Sequence, residues 1–174
     1  LGLVGSEMCI RDRTARHPII AITGSSGAGT TSVKRIFEQI FRREEVKADF
    51  IEGDAFHRYD RAAMKARMAE EEAAGNHEFS HFSPDANILE TLQDIFAEYG
   101  RKGTGRTRHY VHDDAEAAVY GAPQGTFSAW QDFAGDSDLL FYEGLHGCVR
   151  TDTLDLASHV DLKIGVVPVI NLEW

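Results

Sequence analysis

Residues 18–31 read PIIAITGSSGAGTT, and this stretch decides the fold that we predict for the chain. Residues 18–23 form a short apolar run without alternation, which is typical of a buried parallel strand. Residues 24–31 match the spacing G-x-x-x-x-G-x-[ST], and apolar residues recur with a helical period over residues 33–41. A strand, a glycine-rich loop and a helix in this order are the context that a phosphate-binding loop requires.

The glycine-rich loop predicts a nucleotide site because glycine permits backbone conformations that turn successive N–H groups toward phosphate oxygens. The helix that follows adds partial positive charge at its N-terminus. Thr31 stands where a hydroxyl binds Mg²⁺ in such loops. Thr30 replaces the usual lysine, which weakens the pattern taken alone. The candidate nucleotide-binding residues are Gly24, Ser25, Ser26, Gly27, Ala28, Gly29, Thr30 and Thr31.

Further strand and helix patterns alternate along the chain. Strands are predicted at residues 48–52, 139–142 and 161–169, and a surface helix is predicted at residues 61–74. Another helix is predicted to begin at Ser83-Pro84-Asp85, while residues 100–128 are predicted to form loop or hairpin. This order predicts an α/β protein, a three-layer sandwich of the P-loop NTPase type with a mainly parallel or mixed sheet.

Two acidic residues follow predicted strands, Asp54 after the second and Glu143 after the third. Ligands of doubly wound sheets bind outside the carboxyl ends of the strands, where these two side chains are expected. An acid in this position can hold Mg²⁺ or its water, and another can accept the proton of an attacking hydroxyl. A helix cap or an ordinary surface acid is the alternative interpretation for each.

The composition excludes several classes of protein. Lys plus Arg number 18 and Asp plus Glu number 28, giving a net charge of −10, which argues against a nucleic-acid binder with a basic face. No apolar run approaches the roughly 20 residues of a membrane helix. Of the two cysteines, Cys9 lies in the N-terminal stretch and Cys148 is predicted to be a buried structural residue. So low a cysteine count is typical of a reducing compartment and predicts a cytoplasmic protein.

The two ends of the chain differ from the middle. Residues 1–13 have no helical or strand period, and we interpret them as an extension that is not native. Residues 14–174 are then expected to form one domain built on the phosphate-binding loop, incomplete at its C-terminus, because the chain stops directly after an apolar run.

Six motifs together resemble the bacterial type of phosphoribulokinase, a family of P-loop kinases. They are ITGSSGAGT, IEGDAFHR, FSHFS, GRTRHYVHDDAEA, LLFYEGLHG and LKIGVVPVINLEW, in this order from about residue 17 to residue 174. The family transfers the γ-phosphoryl group of ATP to the C1 hydroxyl of ribulose 5-phosphate, in the Calvin cycle. The resemblance also accounts for Thr30, since this branch carries threonine at that position of the loop.

The resemblance implies roles for individual residues. It implies that Asp54 is the catalytic base and that Glu143 and Thr31 bind Mg²⁺. Contacts to the sugar phosphate are implied for His57, Arg61, Lys65 and His112. Arg61 and Lys65 lie four residues apart and therefore on one face of a helix. No role is assigned to His77 or His81.

The resemblance implies partners as well, namely ATP with Mg²⁺, ribulose 5-phosphate and a homo-oligomeric full-length enzyme. Arg43 resembles a position tied to allosteric control by NADH. The family continues beyond Trp174 into a helix with further site residues. Two alternatives stay open: a sister kinase acting on uridine or pantothenate, and a nucleotide-binding fragment without catalytic activity.

Overall fold

The computed structural model describes residues 17–25 and 27–167. In chain order the strands are β1 (Ile19–Gly24), β2 (Ala48–Glu52), β3 (Arg106–Thr107), β4 (Gln131–Asp132), β5 (Leu139–Gly144) and β6 (Leu162–Val166). The α-helices are α1 (Thr30–Arg43), α2 (Arg61–Ala73), α3 (Leu89–Lys102) and α4 (Asp114–Tyr120). Short 3₁₀ helices cover Gly53–Phe56, Pro84–Ala86 and Leu156–His159. Residues 1–13, with Cys9, and the chain end at 168–174 lie outside the described residues.

The main sheet has the strand order β2-β5-β1-β6, and all of its neighbouring strands run parallel. This confirms the predicted α/β class with a mainly parallel sheet. The carboxyl ends of parallel strands meet at one edge of a sheet, and here Glu52 of β2 lies in register with Glu143 of β5. The residues that follow β1, β2 and β5 therefore gather at this edge.

Helices cover both faces of the sheet, which makes the three layers that the sequence predicts. On one face, Phe37 and Phe41 of α1 pack against Phe50 and Phe141 of the sheet. On the other face, α3 buries one apolar side against the sheet, with Leu89, Leu92, Ile95, Phe96 and Tyr99. The period of three and four in both helices, visible in the sequence, is what allows each to bury one side.

Two elements differ from the prediction. Helix α3 begins at Leu89 rather than at Ser83, because the backbone around Asn87 is extended and forms an isolated bridge with His57. The prediction of loop or hairpin for residues 100–128 is wrong for α4, although β3 and β4 do pair antiparallel. Helix α4 has seven residues and buries none of them, so it carries no apolar period. What the sequence does show of this helix is its two ends. Asp113 caps the N-terminus by accepting from the N–H of Glu116, and Gly121, in the left-handed conformation, ends the helix.

None of the helices in the described part of the chain is both long enough and apolar enough to cross a membrane.

Candidate active site

The glycine-rich loop joins β1 to α1 at the carboxyl edge of the sheet. Gly27 and Gly29 have φ of 81° and 94°, the left-handed region that favours glycine. At Gly24 a Cβ atom would lie 2.7 Å from the carbonyl oxygen of Val166 in β6, so only glycine fits there. Gly29 precedes α1 and has no side chain that could cap the first turn of this helix, and an uncapped helix N-terminus is suited to binding an anion. Ser26 lies outside the described residues.

Thr31 and Glu143 come together across this loop. The Thr31 hydroxyl donates to Glu143 Oε1 at 3.5 Å. Both residues line a cavity of about 480 Å³, together with Gly24, Ser25, Gly27 and Thr30 of the loop. A hydroxyl and a carboxylate are hard oxygen ligands of the kind that Mg²⁺ prefers, and Mg²⁺ usually keeps several waters and substrate phosphates as further ligands. In the described part of the chain, no three His, Cys, Asp or Glu side chains are grouped so that they could hold a metal ion by themselves. Thr31 and Glu143 therefore suit a Mg²⁺ ion whose other ligands are waters and substrate phosphates.

Asp54 lies in the 3₁₀ turn directly after β2, between two histidines. His57 Nε2 is 3.5 Å from Asp54 Oδ1, and His112 Nε2 is 3.2 Å from Asp54 Oδ2. The hydrogen bond from His57, with a further contribution from His112, outweighs burial and lowers the pKa of Asp54 to about 2. The carboxylate is therefore ionised at neutral pH.

Both histidines hold their protons more strongly than a free histidine. Burial acts to lower the pKa of His57, but its hydrogen bonds to Asp54 and Asn87 outweigh burial and raise the pKa. At His112, burial is likewise outweighed by the hydrogen bonds to Glu116 and Asp54, so that the pKa is raised. Glu116 accepts from the His112 backbone N–H at 2.7 Å and contacts His112 Nδ1 at 3.0 Å. Asp54 therefore lies between two histidines whose raised pKa favours the protonated ring.

A second cavity, of about 530 Å³, adjoins the first and contains the predicted sugar-phosphate residues. Arg61 donates from Nε to the Tyr110 hydroxyl at 3.3 Å and from Nη2 to the His112 carbonyl oxygen at 3.3 Å. Lys65 lies one helical turn further along α2. The residues common to both cavities are Asp54, His57, His81 and His112. Asp54, His57, Arg61, Lys65 and His112 thus share one cavity.

The turn that carries Asp54 is held by an arginine that sequence reasoning does not single out. Arg108 donates to the carbonyl oxygens of Ala55 at 2.7 Å and His57 at 3.0 Å. Its guanidinium lies 3.8 Å from the ring centroid of Phe127 and 4.9 Å from that of Trp130. Its signal in the sequence would have been the motif GRTRHYVHDD, which places it two residues before Tyr110.

Other residues of the site were also missed or left without a role. His81 lines both cavities, Tyr110 lines the second, and the buried His146 lines the first. Arg43 lies exposed at the end of α1, where it pairs with Glu44 at 2.7 Å, and it lines neither cavity. Cys148 is half-buried against the core, less than the burial predicted for it, and this burial raises the pKa of its thiol.

Comparison with known proteins identifies the family of this chain. A sequence profile described as "Phosphoribulokinase / Uridine kinase family" matches residues 19–174. The chain belongs to this family. It is 68% identical over 161 residues to a phosphoribulokinase of Sinorhizobium medicae and 60% identical over 159 residues to a chromosomal phosphoribulokinase of Cupriavidus necator.

Solved structures agree with this assignment. The phosphoribulokinase from Rhodobacter spheroides superposes with a TM-score of 0.81 at 57% identity, over 91% of this chain and 54% of that one. A possible uridine kinase from Bacillus stearothermophilus has a TM-score of 0.62 at 16% identity, which shows that the fold is shared. The match to the Sinorhizobium medicae enzyme covers 92% of this chain and 55% of the relative, so the chain spans about half the length of the curated relatives it matches.

Proposed function

We propose that this chain carries the nucleotide loop and the catalytic base of an ATP-dependent kinase that phosphorylates the C1 hydroxyl of D-ribulose 5-phosphate, giving ribulose 1,5-bisphosphate. One observation carries the proposal. Asp54 lies where two cavities meet, one lined by the phosphate-type loop and the other by Arg61 and Lys65. A carboxylate in this place can contact both a hydroxyl in the cavity that Arg61 and Lys65 line and the phosphate chain in the other. The naming of its 60–68% identical relatives as phosphoribulokinases supports the same substrate.

The proposed roles follow from the charges around Asp54. Arg61 and Lys65, with His57 and His112 in their protonated form, which the raised pKa favours, hold the phosphate of the sugar and direct its hydroxyl toward Asp54. The carboxylate accepts the hydroxyl proton as the oxygen forms its bond to the γ-phosphorus, while the bond from that phosphorus to the bridging oxygen breaks and ADP leaves. With a pKa of about 2, Asp54 is a weak base in the ligand-free site, so its main task is to orient the hydroxyl while proton transfer accompanies bond formation.

The metal and nucleotide roles are assigned to the loop side. Backbone N–H groups of the loop and the N-terminus of α1 would bind the phosphates of ATP, and Thr31 with Glu143 would hold Mg²⁺. When bound, Mg²⁺ neutralises negative charge on the phosphate oxygens during transfer. Most of the rate enhancement then comes from positioning and charge stabilisation by fixed groups.

Two further partners belong to the proposal for the full-length protein. We infer a homo-oligomer and allosteric binding of NADH involving Arg43, both on the family resemblance. Arg43 is exposed, so an anionic effector can reach it.

The proposal is tested by measuring ADP release from Mg-ATP with and without ribulose 5-phosphate. The assay uses this chain and a longer version that includes the C-terminal region of the relatives. We expect turnover of the longer version only when ribulose 5-phosphate is present. Turnover with uridine or another alcohol, and none with ribulose 5-phosphate, would support the sister-kinase alternative. Nucleotide binding without turnover in both chains would support the alternative of a non-catalytic fragment.

A further inference from the structure

Asn87 is a buried polar residue that faces His57 from the segment before α3. Its exposed fraction is 1%, the lowest among the buried polar side chains of the described residues. Backbone pairing fixes the two residues opposite each other: they form an antiparallel bridge, with Arg58 N donating to Ala86 O and Ile88 N donating to Phe56 O, both at 2.8 Å. This pairing holds the two Cα atoms opposite each other, so both side chains leave the backbone on the same face.

The orientation of the Asn87 amide follows from its partners. Two backbone carbonyl oxygens, of His81 at 3.0 Å and Ser83 at 2.8 Å, surround one end of the amide. Carbonyl oxygens only accept hydrogen bonds, so the NH₂ group must be at this end, and both of its hydrogens are used. The remaining end is the oxygen Oδ1, which lies 2.9 Å from His57 Nδ1.

This arrangement determines where His57 carries its proton. Because Asn87 Oδ1 only accepts, His57 Nδ1 must donate and therefore carries a hydrogen. In the neutral ring the lone pair is then on Nε2, which lies 3.5 Å from the acceptor Asp54 Oδ1. The lone pair on Nε2 and the carboxylate oxygen of Asp54 then repel each other. Only the imidazolium, which also carries a hydrogen on Nε2, can donate to Asp54. The other titratable groups near this ring are His81, Tyr110, His112 and His146.

We propose that Asn87 is a positioning residue that keeps a proton on His57 Nδ1, so that His57 presents a cationic Nε2–H to Asp54 and to the sugar phosphate. The protonation of His57 is independent of the substrate, while its effect on sugar-phosphate binding rests on the proposed function. In water a neutral histidine favours the Nε2–H form, so the predicted Nδ1–H form is a departure that can be measured.

The first test is NMR of this chain without ligand. Long-range ¹H–¹⁵N spectra across a pH titration give the neutral tautomer of each histidine, and His57→Gln assigns the His57 signals. We expect neutral His57 in the Nδ1–H form. Neutral His57 in the Nε2–H form would overturn the proposal, and this result needs no variant of Asn87.

The second test replaces Asn87 by leucine, which has a similar size and no acceptor. We expect the Nε2–H form of His57 to appear and its pKa to fall by on the order of one pH unit. Ser128→Ala is the matched control, because Ser128 is also buried but bonds to His109 and Ala129 rather than to His57. A folded Asn87→Leu chain with unchanged His57 tautomer and pKa would contradict the proposal.

Kinetics separates this inference from the proposed function. In the longer version, Asn87→Leu should raise the KM for ribulose 5-phosphate about tenfold while the KM for Mg-ATP stays within about twofold. Equal changes in both constants would indicate general damage to the site and would contradict a positioning role. If ribulose 5-phosphate is not a substrate at all, the proposed function fails, but the tautomer measurement still decides the role of Asn87.

Discussion

At the scale of the residue, the chemistry of Asp54 depends on the side chains around it rather than on its place in the chain. A carboxylate after a strand can cap a helix, hold a metal or accept a proton, and the sequence alone leaves these possibilities open. Two histidines within 3.5 Å keep it ionised. His112 is 58 residues away in the chain, in a segment whose helix has no apolar period. The sequence pattern therefore could not bring the two together, and only the family resemblance indicated it.

Replacing Asp54 by asparagine tests its role as the base. The side chain keeps nearly the same shape, but the amide cannot accept the hydroxyl proton. We expect kcat of the longer version to fall on the order of 10²–10⁴-fold. Steady-state kinetics, with circular dichroism to confirm folding, checks this. A folded variant whose turnover stays within about threefold would rule out Asp54 as the base.

The charge of His57 and His112 predicts a pH dependence for sugar-phosphate binding. Both pKa values are raised above 6.5, so the positive charge is complete well below the folded pKa and is lost as pH rises through it. Above about pH 7 the sugar phosphate is already a dianion, so its own titration does not mask this effect. We expect the KM for ribulose 5-phosphate to increase with pH in this range. A double variant, His57→Gln with His112→Gln, should flatten the profile, and a wild-type KM that does not change with pH would refute the assignment.

At the scale of the element, the close approach of β2 and β5 sets the geometry of the site. The sequence patterns predict β2 with its observed bounds, because a buried parallel strand is a short run of mostly apolar residues. They do not reveal how near the strand ends lie. A Cβ atom on Gly53 would be 2.8 Å from the Tyr142 hydroxyl oxygen and 3.0 Å from Gly144 Cα. The glycines thus allow Asp54 and Glu143 to lie at one edge.

Gly53→Ala should separate these strand ends. We expect the free energy of unfolding to fall by about 1–3 kcal/mol and the activity of the longer version to fall with it. Gly100→Ala is the matched control inside α3, because a Cβ added there would meet no atom within 4 Å beyond the backbone of its own helix, and its φ is not positive. That change should be neutral or stabilising by up to about 1 kcal/mol. Denaturant unfolding compares the two, and equal effects would contradict the packing argument.

The sequence does not predict those element boundaries that depend on contacts between residues far apart in the chain. The late start of α3 follows from the bridge between His57 and Asn87, two residues 30 positions apart. A proline after a serine is a valid helix start in isolation, but here the backbone hydrogen bonds at Ala86 and Ile88 are used by the segment around Phe56. Local pattern gives the type of an element more readily than its exact start, because long-range pairing competes at the ends.

At the scale of the whole molecule, three layers place an anion-binding edge on a strongly acidic protein. The net charge is −10, but the field inside the cavities depends on nearby groups, since exposed charges are screened beyond about 10 Å. Residues of the glycine-rich loop line one cavity, and Arg61 and Lys65 line the other. This arrangement agrees with the proposal that the two cavities take two anionic substrates.

Binding of Mg-ATP to this chain is expected to stabilise the whole fold. A ligand at about 100 times its Kd adds about 2.7 kcal/mol to the free energy of unfolding, because it binds only the folded state. Thermal unfolding with ATP, with and without Mg²⁺, measures this. Thr31→Ala should remove the Mg²⁺-dependent part and keep the loop's contribution. An unchanged Mg²⁺ effect in Thr31→Ala would argue against Thr31 as a ligand.

The central claim is that phosphoryl transfer ends on C1 of ribulose 5-phosphate. The most direct measurement follows γ-labelled ATP with the longer version in a mixture of ribulose 5-phosphate and uridine, and locates the label in the products by NMR. We predict label on C1 of ribulose 1,5-bisphosphate and none on uridine. Label on uridine, or on another carbon of the sugar, would contradict this claim.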